Sequence, residues 1–236
     1  MTEEVTAVAI VEITGEIIPS DYKWIYDFFE IDNTTPGKIK DAIAELKDGE
    51  ELEVRINSPG GDVASGQEIY SLLQTCNSRA AIMGFAASAA GLAAMGCKRV
   101  EMSPVSTIMV HNVWTATQGD YHEMERTGEM LKNLNSAIAA AYVKKTGAPE
   151  AEILEMMDKE TWITAKQAIE LGIADGYIGT EKTPRAGEAM NSVCGLSITP
   201  EMIEQAKAAK AEKEKLEAAN AKRAAEIVGD LDAFGI

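Results

Sequence analysis

Four stretches of the chain hold residues able to take part in nucleophilic chemistry. In Ile82–Met95 (IMGFAASAAGLAAM) an apolar run meets Gly84, passes through small residues and becomes Ala-rich and helix-prone, with Ser88 at the change. A strand that turns sharply into a helix leaves the turn residue at a helix N-terminus, where unpaired N–H groups and the helix dipole favour negative charge. A serine there suits attack on a carbonyl, because the oxyanion formed would sit in that field. The plain alternative is a serine that merely caps the helix. His111 follows the apolar run Thr107–Val110 and is followed by Asn112 and Trp114. Paired with Ser88 it would be a general base. The second histidine, His122, lies among charges and reads as a surface residue. An acid to orient the imidazole is available in Asp158-Lys159-Glu160. Asn57–Asp62 (NSPGGD) adds a glycine pair after a strand, where backbone N–H groups can approach a substrate closely.

The elements around these residues decide whether they can meet. Val5–Glu12 and Leu52–Ile56 read as strands, the first ended by Gly15 and the second running into the glycine pair. Arg79–Met83, Arg99–Met102 and Thr107–Val110 are further strands, with Ile173–Ile178 as a last one. Helices are expected from Pro36 to about Leu46, from Val63 to about Thr75, after Ser88, over about 121–145, and over Glu150–Met157. Thr164 and Gln167 form a capping-box pattern for a helix ending at Gly172. The aromatic stretch Asp21–Glu30 reads as core. Strands alternating with helices imply right-handed crossovers and a mainly parallel sheet, whose functional groups gather at strand carboxyl ends. Gly60-Gly61, Ser88 and His111 all fall at such ends.

The chain has 236 residues, enough for one substantial domain and an extension. Residues 1–180 read as that domain, 181–198 as a linker without periodicity, and 199–236 as an Ala/Glu/Lys-rich helical tail too poor in large apolar residues to form a core. The net charge of −16 argues against a nucleic-acid partner. Three cysteines, Cys76, Cys97 and Cys194, lack metal-ligand spacing and fit a reducing compartment. Hydrolysis by a serine–histidine pair would call for no metal or organic cofactor. No apolar run approaches membrane-spanning length, and the chain reads as cytoplasmic.

INSPGG, GFAAS, MVH and ETWITAKQAIELGIAD, in this order, resemble the ClpP-type serine proteases. The resemblance runs from about Val8 to Ile178 and is nearest to the ClpP-like proteases of phages and prophages that act in prohead maturation. It implies an α/β fold, a ClpP/crotonase-type spiral of ββα units, with the helix at about 121–145 as a projecting handle. It also implies an endopeptidase working through an acyl-enzyme, with Ser88 as nucleophile, His111 as base, and the N–H groups of Gly61 and Ala89 as oxyanion hole. Gly60, Asn112 and Val113 would bind substrate, the segment Asn112–Thr117 pairing with it as an added strand. Where the family carries an aspartate this chain has Glu160, with Asp158 as the alternative acid. Polypeptide substrates follow, among them a capsid or scaffold protein if the enzyme acts in phage assembly, in the host cytoplasm or the assembling capsid. Heptameric or stacked rings follow too, while an ATPase partner stays open. Two other functions compete. A crotonase-type acyl-CoA enzyme shares the spiral but needs no serine–histidine pair. A non-catalytic assembly or scaffolding protein would make the tail the working part.

Overall fold

A computed structural model describes residues 8–179, 204–205, 207–212 and 214–215. Its elements run β1 (Val8–Ile17), a 3-10 turn (Ser20–Tyr22), α1 (Lys23–Phe28), β2 (Asn33–Thr34), α2 (Pro36–Ala44), β3 (Glu51–Gly61) and α3 (Val63–Leu73). They continue with β4 (Ser78–Ala87), α4 (Ala89–Ala94), β5 (Arg99–Met102), β6 (Thr107–Val110), α5 (Tyr121–Thr146), α6 (Glu150–Asp158), β7 (Thr161–Thr164), α7 (Ala165–Glu170) and β8 (Gly176–Tyr177). The fold is α/β, built on a mostly parallel sheet, as expected.

The sheet order is β2-β1-β3-β4-β5-β8, with β6 pairing both β4 and β7. β4 therefore has two neighbours along one edge. Its first half, Arg79–Ile82, pairs with β5, and Phe85–Ala87 pairs with β6. Among the described residues only β6 and β7 pair antiparallel.

Alternation explains which face is buried. Leu52, Val54, Ile56 and Ser58 of β3 point into the core, while Glu51, Glu53 and Arg55 point the other way. Ile69 and Leu73 of α3 and Ala90, Ala93 and Ala94 of α4 pack against the buried face. On the opposite face Arg79 bridges Glu51, Glu53 and Glu101, and Arg55 and Arg99 extend the network. Burial pushes the Glu53 carboxyl up, but Arg55 and Arg79 beside it outweigh this and hold it below the usual range.

Several boundaries differ from the sequence reading, each for a traceable reason. β1 runs through Gly15 to Ile17; that glycine (φ 60°) carries a register shift against β3 instead of ending the strand. β3 likewise continues through NSPGG. The buried Ser58 hydroxyl donates to Gly15 O at 2.6 Å and accepts from Gly60 N–H at 3.1 Å, which keeps this stretch in the sheet. β7 stands where only a connection was expected, and β8 is shorter than the strand read over Ile173–Ile178. The aromatic stretch is mixed: Ile25 and Tyr26 are buried in a small cluster with Ile18, whereas Phe28 is exposed. In the long helix α5 the buried residues are Ala139, Ala141 and Tyr142, all towards its C-terminal end, so the first four turns stand clear of the core. The proposed linker 181–198 and most of the tail lie outside the described residues. The described tail positions are helical, with Lys210 Nζ 4.3 Å from the centre of the Trp24 ring.

Candidate active site

Ser88 sits between β4 and α4 with φ 54° and ψ −122°, a backbone region that a residue with a Cβ enters only at a cost of about 1–3 kcal/mol. Its N–H donates to Met109 O at 2.8 Å, which fixes the turn against β6. Its side chain makes no capping hydrogen bond to α4. Instead its Oγ lies 2.7 Å from Nε2 of His111. The plain alternative of a capping serine therefore does not hold. The hydroxyl donates to the ring when the imidazole carries its proton on Nδ1.

The sheet brings this pair together. Ala87 pairs with Met109, so the residue leaving β4 and the residue just beyond β6 emerge side by side. Both residues are partly buried, which gives them a sheltered edge and an open one.

The glycine pair closes one side of the site. Gly60 has φ 91°, and a Cβ there would lie 2.5 Å from Ala87 O and 2.9 Å from both Ala89 N and Ser88 Cβ. Gly61 has φ 145°, with Ile17 O 2.2 Å from the position its Cβ would take. Both positions therefore demand glycine, which lets the β3 backbone press against the Ser88 turn at Gly60 and against β1 at Gly61. Gly60, Gly61, Ser88, Ala89, His111 and Val113 all line one cavity of about 860 Å³. Met130, Leu131, Leu134 and Ile138 of α5 form its apolar far wall.

The acids are placed differently. Asp158 Oδ1 accepts from the Asn112 side-chain amide at 2.8 Å. Glu160 is exposed, with φ 48°, in the turn between α6 and β7. Among the described residues neither carboxylate hydrogen-bonds or ion-pairs with His111. The structure thus unites Ser88, His111, the glycine pair and a helix N-terminus, and leaves Asp158 and Glu160 without a bond to His111.

Three contributors escaped the sequence reading. Ser58 pins the glycine pair through contacts distant in sequence, for which INSPGG gives no local signal. Met130 joins a wall whose other members were visible as the apolar stripe of the long helix. Asn135 accepts from Val113 N–H at 2.8 Å, and an amide on a helix face carries no such signature.

Other chemistries find less support. Burial pushes the Cys97 thiol up to about 12 and raises that of Cys76, so neither is a ready thiolate. Among the described residues no group of three or more His, Cys, Asp or Glu is arranged to hold a metal ion. No described helix is long and apolar enough to cross a membrane.

The chain matches the family model described as Clp protease over residues 30–181. That span holds the glycine pair, Ser88, His111 and the α6–β7 turn. It also covers well over half of the 236 residues, and the chain belongs to the Clp protease family.

Proposed function

We propose that the protein is a serine endopeptidase with Ser88 as nucleophile and His111 as general base. The observation that carries this reading is the 2.7 Å Ser88 Oγ–His111 Nε2 contact, made by a serine whose side chain is withheld from helix capping. Family membership sets the coarser level, a protease that acts on polypeptides, and proteins of this family generally assemble into rings.

In the proposed mechanism His111 takes the proton of Ser88 as Oγ attacks the peptide carbonyl. The tetrahedral oxyanion is held by the N–H of Ala89, at the start of α4, and the N–H of Gly61. His111 then returns the proton to the leaving amine, and water hydrolyses the acyl-enzyme by the reverse roles. Glu160 is the acid assigned to Nδ1 of His111. It occupies a left-handed position after α6 where glycine is the easy choice, and retention of a side chain there favours a use for the carboxylate. Asp158 is already engaged by Asn112.

Substrate would enter as an extended strand between the β3 end and the segment after His111. Among the described residues Val113 N–H is the one backbone group of 112–118 with a hydrogen-bond partner. The rest of that segment is free to pair with a peptide.

Substitution Ser88→Ala should lower kcat/KM by about 10⁴-fold or more and abolish labelling by a serine-directed phosphonate. Retained cleavage or retained labelling would overturn the assignment. A narrower role, processing of a capsid or scaffold polypeptide in phage assembly by heptameric or stacked rings, rests on the resemblance of ETWITA to phage-encoded enzymes. Native mass measurement of the assembly tests the ring, and cleavage of a co-expressed capsid or scaffold polypeptide tests the substrate.

A further inference from the structure

The segment that follows His111 has no helix or strand of its own from Asn112 to Gln118. Two amide side chains tie it down. Asn112 donates to Asp158 at the end of α6, and Asn135, on α5, accepts from Val113 N–H. Asp158 and Asn112 meet close to the surface, where water competes for both groups. Asn135 acts nearer the cavity: Val113 lines it, and so do Leu131, Leu134 and Ile138 of the same helix.

We propose that Asn135 is a positioning residue that fixes the register of the peptide-docking segment against α5. An extended peptide pairs with alternate residues of the strand it joins, since successive N–H and C=O groups point to opposite edges. By occupying Val113 N–H, Asn135 assigns that donor to the helix. The groups of Asn112 and Trp114 are left as the ones that face a docked chain. Without this contact the segment has a second, shifted set of donors to offer, and a one-residue slip turns every substrate side chain to the wrong face. The apolar wall from Met130 to Ile138 then receives the wrong residue. The inference deepens the peptidase reading and rests on it.

The test compares Asn135→Ala, Asn135→Leu and Asn135→Asp with the parent protein. Steady-state cleavage of peptides of six or more residues is measured beside the labelling rate with a small serine-directed phosphonate, which needs no docked strand. Asn135→Ala and Asn135→Leu should raise KM roughly five- to tenfold with kcat within about twofold, the loss expected for one hydrogen bond to a substrate-ordering group. Their phosphonate labelling should stay at the parent rate. Asn135→Asp keeps an acceptor at Val113 N–H and should hold KM within about twofold of the parent. Unchanged KM in both the Ala and Leu variants, with normal labelling, overturns the inference. So does a fall in kcat without a rise in KM, or an Asp variant as impaired as the Leu variant. A parent protein that neither cleaves peptides nor takes the label removes the peptidase reading itself, a result distinct from any of these.

Discussion

At the scale of single residues, the candidate site and its neighbouring turn hold two side chains in a backbone region that favours glycine. Ser88 holds a positive φ, and so does Glu160, while glycine would adopt either conformation without strain. This predicts that Ser88→Gly unfolds at a higher temperature than Ser88→Ala, by the equivalent of about 1 kcal/mol, in paired thermal melts. An equal or lower melting temperature for the glycine variant would argue that the turn is unstrained. The two acids separate in the same way. On the proposed assignment Glu160→Gln should cost about 10²–10⁴ in kcat, by loss of the acid proposed to orient the imidazole, whereas Asp158→Asn should stay within about fivefold. The reverse ranking would move the acid role to Asp158. The serine, the histidine and the glycine pair were legible because each chemistry demands one residue type at a strand end. The acid was less so: two carboxylates two positions apart look alike in a sequence, and among the described residues neither is bonded to His111.

At the scale of elements, the alternation of LEVRI correctly places Leu52, Val54 and Ile56 inside and Glu53 and Arg55 outside. What alternation cannot show is a partner far along the chain. β7 has only four residues, and its strand state comes from pairing with β6, so a local reading sees only the approach to a capping box. The run of β3 through Pro59 and two glycines likewise depends on a Ser58 contact spanning 43 residues. The charged face of the sheet gives a pH prediction. Glu53 is held below its ordinary value of 4.5, so its contribution is full above the usual carboxylate range and is lost as the pH falls towards the depressed value. Glu53→Gln should lower stability by ~1–2 kcal/mol near neutrality. It should also make the melting temperature fall less steeply than in the parent between about pH 5 and pH 3. Parallel curves for the two proteins would show that the network stores no such linkage.

At the scale of the whole molecule, the chain carries a net charge of −16 and an Ala-rich, charged stretch over 199–236. The tail's described contact with the rest of the chain is the Lys210–Trp24 pair, an exposed cation on an aromatic ring. Deleting residues 181–236 is therefore expected to leave peptide cleavage within about twofold and the melting temperature nearly unchanged. Loss of peptide cleavage on deletion would show that the tail serves the active site. A change confined to partner binding or assembly would fit a tethering role. The doubled edge of β4 has one more consequence. Ser88 leaves the strand beside Met109, and its own N–H is bonded to that residue's carbonyl. Ser88 and His111 are thus set side by side by a ladder rung and not by a loop. Peptide cleavage is therefore expected to be lost in the same thermal transition as the central sheet, so that a gently warmed population mixes folded, competent molecules with unfolded ones; loss of cleavage while the circular dichroism of the sheet is intact would argue against this.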